Sequence, residues 1–194
     1  MILGITGGSG SGKTTLLQLV EASGGVILDC DAIYHQLLQN DKQLLQTIEN
    51  RFPGTVIDGV LARKKLGEVV FADEAALQEL NQITHSAVKK EVLRILESKP
   101  TLAAIDAIGL FESGLDALCD ATVAVTAPEA MRIRRLMARD GISYEYAQKR
   151  IRAQHPDQWY AGKCTYTLEN DGCPDGFRVK CIAFLRHLGI MKAE

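Results

Sequence analysis

Short apolar runs punctuate the chain, and longer stretches with helical spacing separate them. Residues 2–6 (Ile2-Leu3-Gly4-Ile5-Thr6), 25–29, 102–106 and 121–125 read as strands, and 166–168 reads as a weaker fifth. Apolar residues recur with helical spacing near 13–22, 31–50, 73–98, 129–139, 143–153 and 173–188. Continuous apolar strands set between helices predict an α/β fold whose parallel sheet is covered on both faces. Ligands of such sheets lie beyond the carboxyl ends of the strands, which places the loops after residues 6, 29, 106 and 125 around one site. Residues 53–98 form a helical excursion beside the sheet. Residues 140–163 combine a basic helix with an aromatic-rich tail and have the character of a mobile cover.

The first loop carries the strongest chemical signal. From Gly7 the chain reads Gly, four residues, Gly12-Lys13-Thr14, between a strand and a helix. This is the phosphate-binding loop pattern, and strand, glycine loop, helix is the context it requires. The glycines let the backbone curl so that N–H groups point at phosphate oxygens. Gly8, Gly10, Ser11, Gly12, Lys13, Thr14 and Thr15 are therefore expected at the phosphates of a nucleotide. Lys13 supplies positive charge for the β- and γ-phosphates, and the Thr14 hydroxyl supplies a ligand for phosphate-bound Mg²⁺. The following helix turns its positive end to the same place.

Composition narrows the class. The 194 residues suit one domain with a sizeable core, and 46% hydrophobic with 24% charged residues is a globular balance. Lys plus Arg total 22 against 24 Asp plus Glu, so no basic field invites nucleic acid. No apolar run approaches the roughly 20 residues that span a bilayer, and the N-terminal residues lack the features of a leader. Five scattered cysteines suit a reducing compartment, so a cytoplasmic location is expected. Cys164, Cys173, Cys181 and His187 match no common zinc spacing.

Acids and arginines supply the rest of the expected site. Asp29-Cys30-Asp31 closes the second strand. One carboxylate of this pair can cap the next helix, and the other can take the proton of an attacking hydroxyl or hold Mg²⁺ through water. Asp106 closes another strand, where a metal-coordinating acid and a turn carboxylate are equally natural. Arg132, Arg134, Arg135, Arg139, Lys149, Arg150 and Arg152 concentrate positive charge. Such a stretch is either a solvated helix face or a supply of cations for phosphoryl transfer, and Arg135 and Arg139 share one face. Arg63 follows an Asp58-Gly59 turn, and His85 lies within a long helix. Glu112 reads as structural, and Trp159 and Tyr160 either stack on a base or bury under the cover, the second reading being favoured.

Taken in order, these segments resemble the dephospho-coenzyme A kinases. The resemblance rests on Thr6 to Thr14, on Asp29 and Asp31, on Arg63, Val70-Phe71, and Leu80-Asn81 with His85. It continues through Leu110-Phe111-Glu112, Arg135 to Asp140, Arg150-Ile151 with Gln154, and Asn170 to Gly172. The resemblance implies a P-loop NTPase fold: a five-stranded parallel sheet flanked by helices, with a helical substrate-side insertion and a lid. One domain, 1–194, then divides into a core (about 1–52, 99–128 and 164–190), a substrate-side region (about 53–98) and a lid (about 129–163). It also implies ATP and Mg²⁺ as cofactors and phosphorylation of the 3′-hydroxyl of dephospho-coenzyme A, the last step of coenzyme A synthesis. Asp31 becomes the general base, with Lys13 and Arg139 as catalytic cations. Arg135 and Asn170 join the nucleotide site, and Asp29, Arg63 and His85 join the acceptor side. Departures from the family pattern fall at Ser86, Ile108, Gly109, Arg132, Cys164-Thr165 and Glu169, on acceptor-side and lid segments more than on the loop. Other small-molecule kinases, acting on a nucleoside or a shikimate-like polyol, share the loop and the acids. A regulator that binds nucleotide without catalysis shares the loop alone.

Overall fold

The computed structural model describes residues 1–192. Its strands are β1 (Ile2–Thr6), β2 (Val26–Asp29), β3 (Val56–Ile57), β4 (Val60–Leu61), β5 (Ala103–Asp106), β6 (Ala121–Thr126) and β7 (Tyr166–Glu169). Its helices are α1 (Lys13–Ala22), α2 (Cys30–Asn40), α3 (Lys42–Arg51), α4 (Arg63–Val70), α5 (Glu74–Leu96), α6 (Glu129–Asp140), α7 (Tyr144–Arg152), α8 (Asp157–Lys163) and α9 (Pro174–His187). Five strands form a parallel sheet in the order β2-β5-β1-β6-β7, and β3 and β4 pair as a separate hairpin. The α/β fold and the parallel sheet expected from the apolar runs are both present.

The register explains why those runs are apolar. In the centre of the sheet, Ile2 pairs with Ala103 and Ile5 with Asp106 on one side, and Leu3 pairs with Ala121 and Thr6 with Ala124 on the other. Leu3, Ile5, Ala104, Val123 and Val125 are buried with Leu16, Leu19 and Val20 of α1 and Phe177, Cys181 and Leu185 of α9. Parallel pairing brings Thr6, Asp106, Thr126 and Glu169 to the same edge of the sheet. Strand β7 is an edge strand. Tyr166 and Leu168 are half-buried while Thr167 and Glu169 are exposed, and this alternation is why its sequence signal is weaker.

The chain divides into two compact units, one of Met1–Leu28 with the chain from Pro100 onward, the other of Asp29–Lys99. The second has its own core, in which Leu44, Leu45, Ile48 and Phe52 meet Leu61, Leu66, Val70 and Leu80. Its β3–β4 turn places Asp58 and Gly59 at positive φ (51° and 76°), the geometry of a tight hairpin.

Two expectations are corrected. The single helix expected over 31–50 is two helices broken at Asp41. That residue leaves helical geometry (φ −89°, ψ 95°), and its carboxylate accepts the N–H groups of Gln43 (2.9 Å) and Leu44 (3.0 Å). A side chain that caps so well competes with helix continuation. The aromatic-rich tail after residue 153 contains a helix of its own, α8, which buries Tyr160.

Candidate active site

The loop between β1 and α1 is built as the glycine pattern requires. Gly12 sits at φ +101°, and a Cβ there would come 2.2 Å from the Asn170 amide nitrogen, so a larger residue meets both strain and collision. Lys13 donates from Nζ to the Gly7 carbonyl (2.9 Å) and lies 3.8 Å from an Asp106 carboxylate oxygen. The first turn of α1 follows directly on the glycine bend and holds no acidic side chain that would offset its positive end. The Ser11 hydroxyl is buried with no hydrogen-bond partner. The Thr14 side chain is exposed. An orphaned hydroxyl, a helix N-terminus and an ammonium around a glycine bend suit a chain of phosphates.

The back of the loop is held by side chains more than a hundred residues away. Asn170, buried at the end of β7, donates from its amide to the Ser11 carbonyl (2.8 Å). Its amide oxygen accepts from Arg135 (3.1 Å), which also reaches the carbonyls of Gly10 and Ser11 (3.2 Å each). A guanidinium only donates and a carbonyl only accepts, so these partners fix the orientation of the Asn170 amide. Burial lowers the Arg135 pKa from its ordinary value. Arg132, 3% exposed, donates to the Ser9 carbonyl, to Gln154 and to Asp157. The arginine-rich stretch thus contains two residues that grip the loop from behind.

Arg139 is placed differently. It is exposed, and its Nε and Nη2 donate to the adjacent Asp140 carboxylate (2.6 and 3.0 Å), which also accepts from Arg150 (2.8 Å). Hydrogen bonding from Arg139, helped by Arg150, holds the Asp140 carboxyl below the usual aspartate range. Farther along the chain, His155 pairs with Glu112 (3.0 Å), and its ring stacks on Trp159 (centroids 3.9 Å apart).

In the second unit, the Asp29 carboxylate caps α2 by accepting the Ala32 N–H (2.9 Å). Asp31 lies one residue into that helix, exposed. The cap of α2 is thus Asp29, and the Asp31 side chain takes no part in it. Arg63 opens α4 and places Nη2 3.4 Å from Nδ1 of His35. His35 follows Asp31 by one helical turn, on the same face. His85 is half-buried in the middle of α5. The structure therefore joins Arg63 to His35, a residue the sequence reading passed over. The reading also assigned no role to Gln154 beyond its motif, and none to Asp157. The i, i+4 spacing of Asp31 and His35 was a usable signal; the partners of Arg132 left no local one.

Residues 1–175 match the family described as dephospho-CoA kinase. A dephospho-CoA kinase of Anaeromyxobacter dehalogenans is 37% identical over 193 residues, covering 96% of this chain and 92% of the relative. One from Thermus thermophilus is 35% identical over 173 residues, covering 89% and 84%. A crystal structure of a Thermus thermophilus protein superposes with a TM-score of 0.80 at 33% identity, covering 97% of each chain. A shikimate kinase from Acinetobacter baumannii, at 18% identity and a TM-score of 0.53 over 100% and 95% of the two chains, shares the fold. A match that runs from the phosphate loop through the residues behind it, over nearly the whole length, places this chain in the dephospho-CoA kinase family.

Proposed function

We propose that the protein transfers the γ-phosphoryl group of ATP to the 3′-hydroxyl of dephospho-coenzyme A, giving coenzyme A and ADP. The observation that carries this reading is the family match over residues 1–175 with the loop Gly7 to Thr14 intact. Gly8, Gly10, Ser11, Gly12, Lys13, Thr14 and Thr15 hold the phosphates through backbone N–H groups and the Lys13 ammonium, with Arg135 and Asn170 keeping the loop in shape. The Thr14 hydroxyl would hold Mg²⁺, which, when bound, neutralises charge on the phosphate oxygens. Asp31 accepts the proton of the attacking hydroxyl as its oxygen bonds to the γ-phosphorus and the bond to the bridging oxygen of ADP breaks. Asp29 sets the start of α2 and so places Asp31. Arg63 and His85 serve the acceptor. Arg139 acts as a lid cation by exchanging Asp140 for phosphoryl oxygens, leaving Arg150 on that carboxylate.

In this reading residues 53–98 are the acceptor-side region, 129–163 the lid and the remainder the core. The enzyme works on small molecules in the cytoplasm, and a formal net charge of −2 supplies no field for nucleic acid. Among the described residues, no helix is long and apolar enough to cross a membrane.

The test is ADP release with dephospho-coenzyme A, adenosine, uridine and shikimate offered separately. Turnover with dephospho-coenzyme A at least 10²-fold more efficient than with the others is expected. Turnover confined to another acceptor overturns the reading.

A further inference from the structure

Arg132 combines a full charge with 3% exposure, and every nitrogen of its guanidinium is engaged. Nε donates to the Ser9 carbonyl (3.0 Å), Nη1 to Asp157 (2.8 Å) and Nη2 to the Gln154 amide oxygen (3.1 Å). Gln154 closes the circuit: its oxygen accepts the Ser9 N–H (2.9 Å) and its amide donates to the Ser9 hydroxyl (2.8 Å). The other Asp157 oxygen accepts the N–H of Ala127, just past β6 (3.0 Å). Ser9 is thus held at its N–H, its hydroxyl and its carbonyl. The guanidinium also lies so close beneath Gly8 that a Cβ there would come 2.0 Å from Nη2.

We infer that Arg132, with Gln154 and Asp157, is a positioning device for the phosphate loop. It fixes Ser9 in the bend that aims the loop's N–H groups at phosphate, and it ties the root of the cover, at the start of α8, to the same loop. The assignment rests on the kinase reading above and deepens it. A buried charge with its partners in place keeps one geometry, because any other arrangement strands a polar group away from water. Removing the brace lets the loop sample shapes that do not cradle an anion, so the loss falls on nucleotide binding. Acceptor binding depends on other residues.

The experiment compares Arg132→Met, Arg132→Gln and Asp157→Asn with the parent enzyme at a temperature well below every unfolding midpoint. ATP affinity is read by calorimetry, KM for ATP and for dephospho-coenzyme A by ADP release, and Ser9 exchange by amide hydrogen exchange. The inference expects ATP Kd and KM to rise at least tenfold in Arg132→Met, with faster exchange at Ser9 and acceptor KM within twofold. Arg132→Gln, which still donates toward the loop, recovers a part of that loss. Asp157→Asn, which leaves both loop-side bonds of Arg132 possible, raises ATP Kd several-fold and serves should Arg132→Met fail to fold. Variants that lose thermal stability yet bind ATP as the parent does overturn the inference, since Arg132 is then only a packing residue. A parent enzyme that binds ATP but phosphorylates another acceptor overturns the substrate reading, while the ATP affinities still decide the brace.

Discussion

Asn170 offers a clean way to weigh the far end of the chain in the assembly of the loop. Its amide gives one neutral hydrogen bond to the Ser11 carbonyl and receives one from the charged Arg135, and the residue is 4% exposed. A neutral bond contributes about 1 kcal/mol and one to a charged group about 1.5–3 kcal/mol, so Asn170→Ala removes about 2.5–4 kcal/mol of interaction. For a domain of this size each kcal/mol moves the melting temperature by about 2–4 °C, so a fall of roughly 5–15 °C is expected. Part of the loss acts on the loop, and ATP affinity falls roughly tenfold or more. Asn170→Asp sharpens the test. The carboxylate keeps Arg135 but faces the Ser11 carbonyl with a second acceptor, so ATP affinity falls although the ion pair is stronger. The assays are thermal unfolding with and without ATP and calorimetric titration of ATP. If both variants melt within 1 °C of the parent and bind ATP within twofold, Asn170 is not bracing the loop and the reasoning fails.

Asp31→Asn is expected to lower turnover by roughly 10²-fold or more while ATP affinity stays within twofold; a collapse of ATP binding with turnover preserved would return Asp31 to a metal or folding role. The Arg139–Asp140–Arg150 cluster predicts a pH signature. Because the folded Asp140 carboxyl is held below its ordinary range, its contribution is whole above about pH 4 and disappears as pH falls through the folded value. The melting difference between the parent and Asp140→Asn, followed from pH 7 to pH 3, should therefore shrink; a constant difference would show that the cluster does not act through charge. Burial pushes the thiols of Cys119 up to about 12 and of Cys164 and Cys181 up to about 11. Iodoacetamide at pH 8 should label exposed Cys173 first, by peptide mass, and equal labelling of half-buried Cys119 would contradict its raised pKa.

Much of this protein was legible along the chain because its signals are local. A phosphate loop needs glycines, a lysine and a threonine at fixed spacing, and a helix at its end, and all of these lie within fifteen residues. Buried parallel strands need continuous apolar side chains, so β1, β5 and β6 could be placed to within a residue or two. Where the energetics turned on one side chain the reading was coarser: the break at Asp41 depended on a cap outcompeting the helix, and which of Asp29 and Asp31 caps α2 stayed open until Asp29 was seen to accept the Ala32 N–H. What tertiary structure alone decided is which arginines of the basic stretch act on the loop. Arg132 and Arg135 are buried or half-buried against loop carbonyls 123 to 125 residues away, whereas Arg139, one turn beyond Arg135, lies on Asp140. Charge alone gives all three the same character in sequence. Their difference arises from which partners the parallel register of β6 and β7 carries to the loop, and pairing over such separations leaves no trace in local spacing.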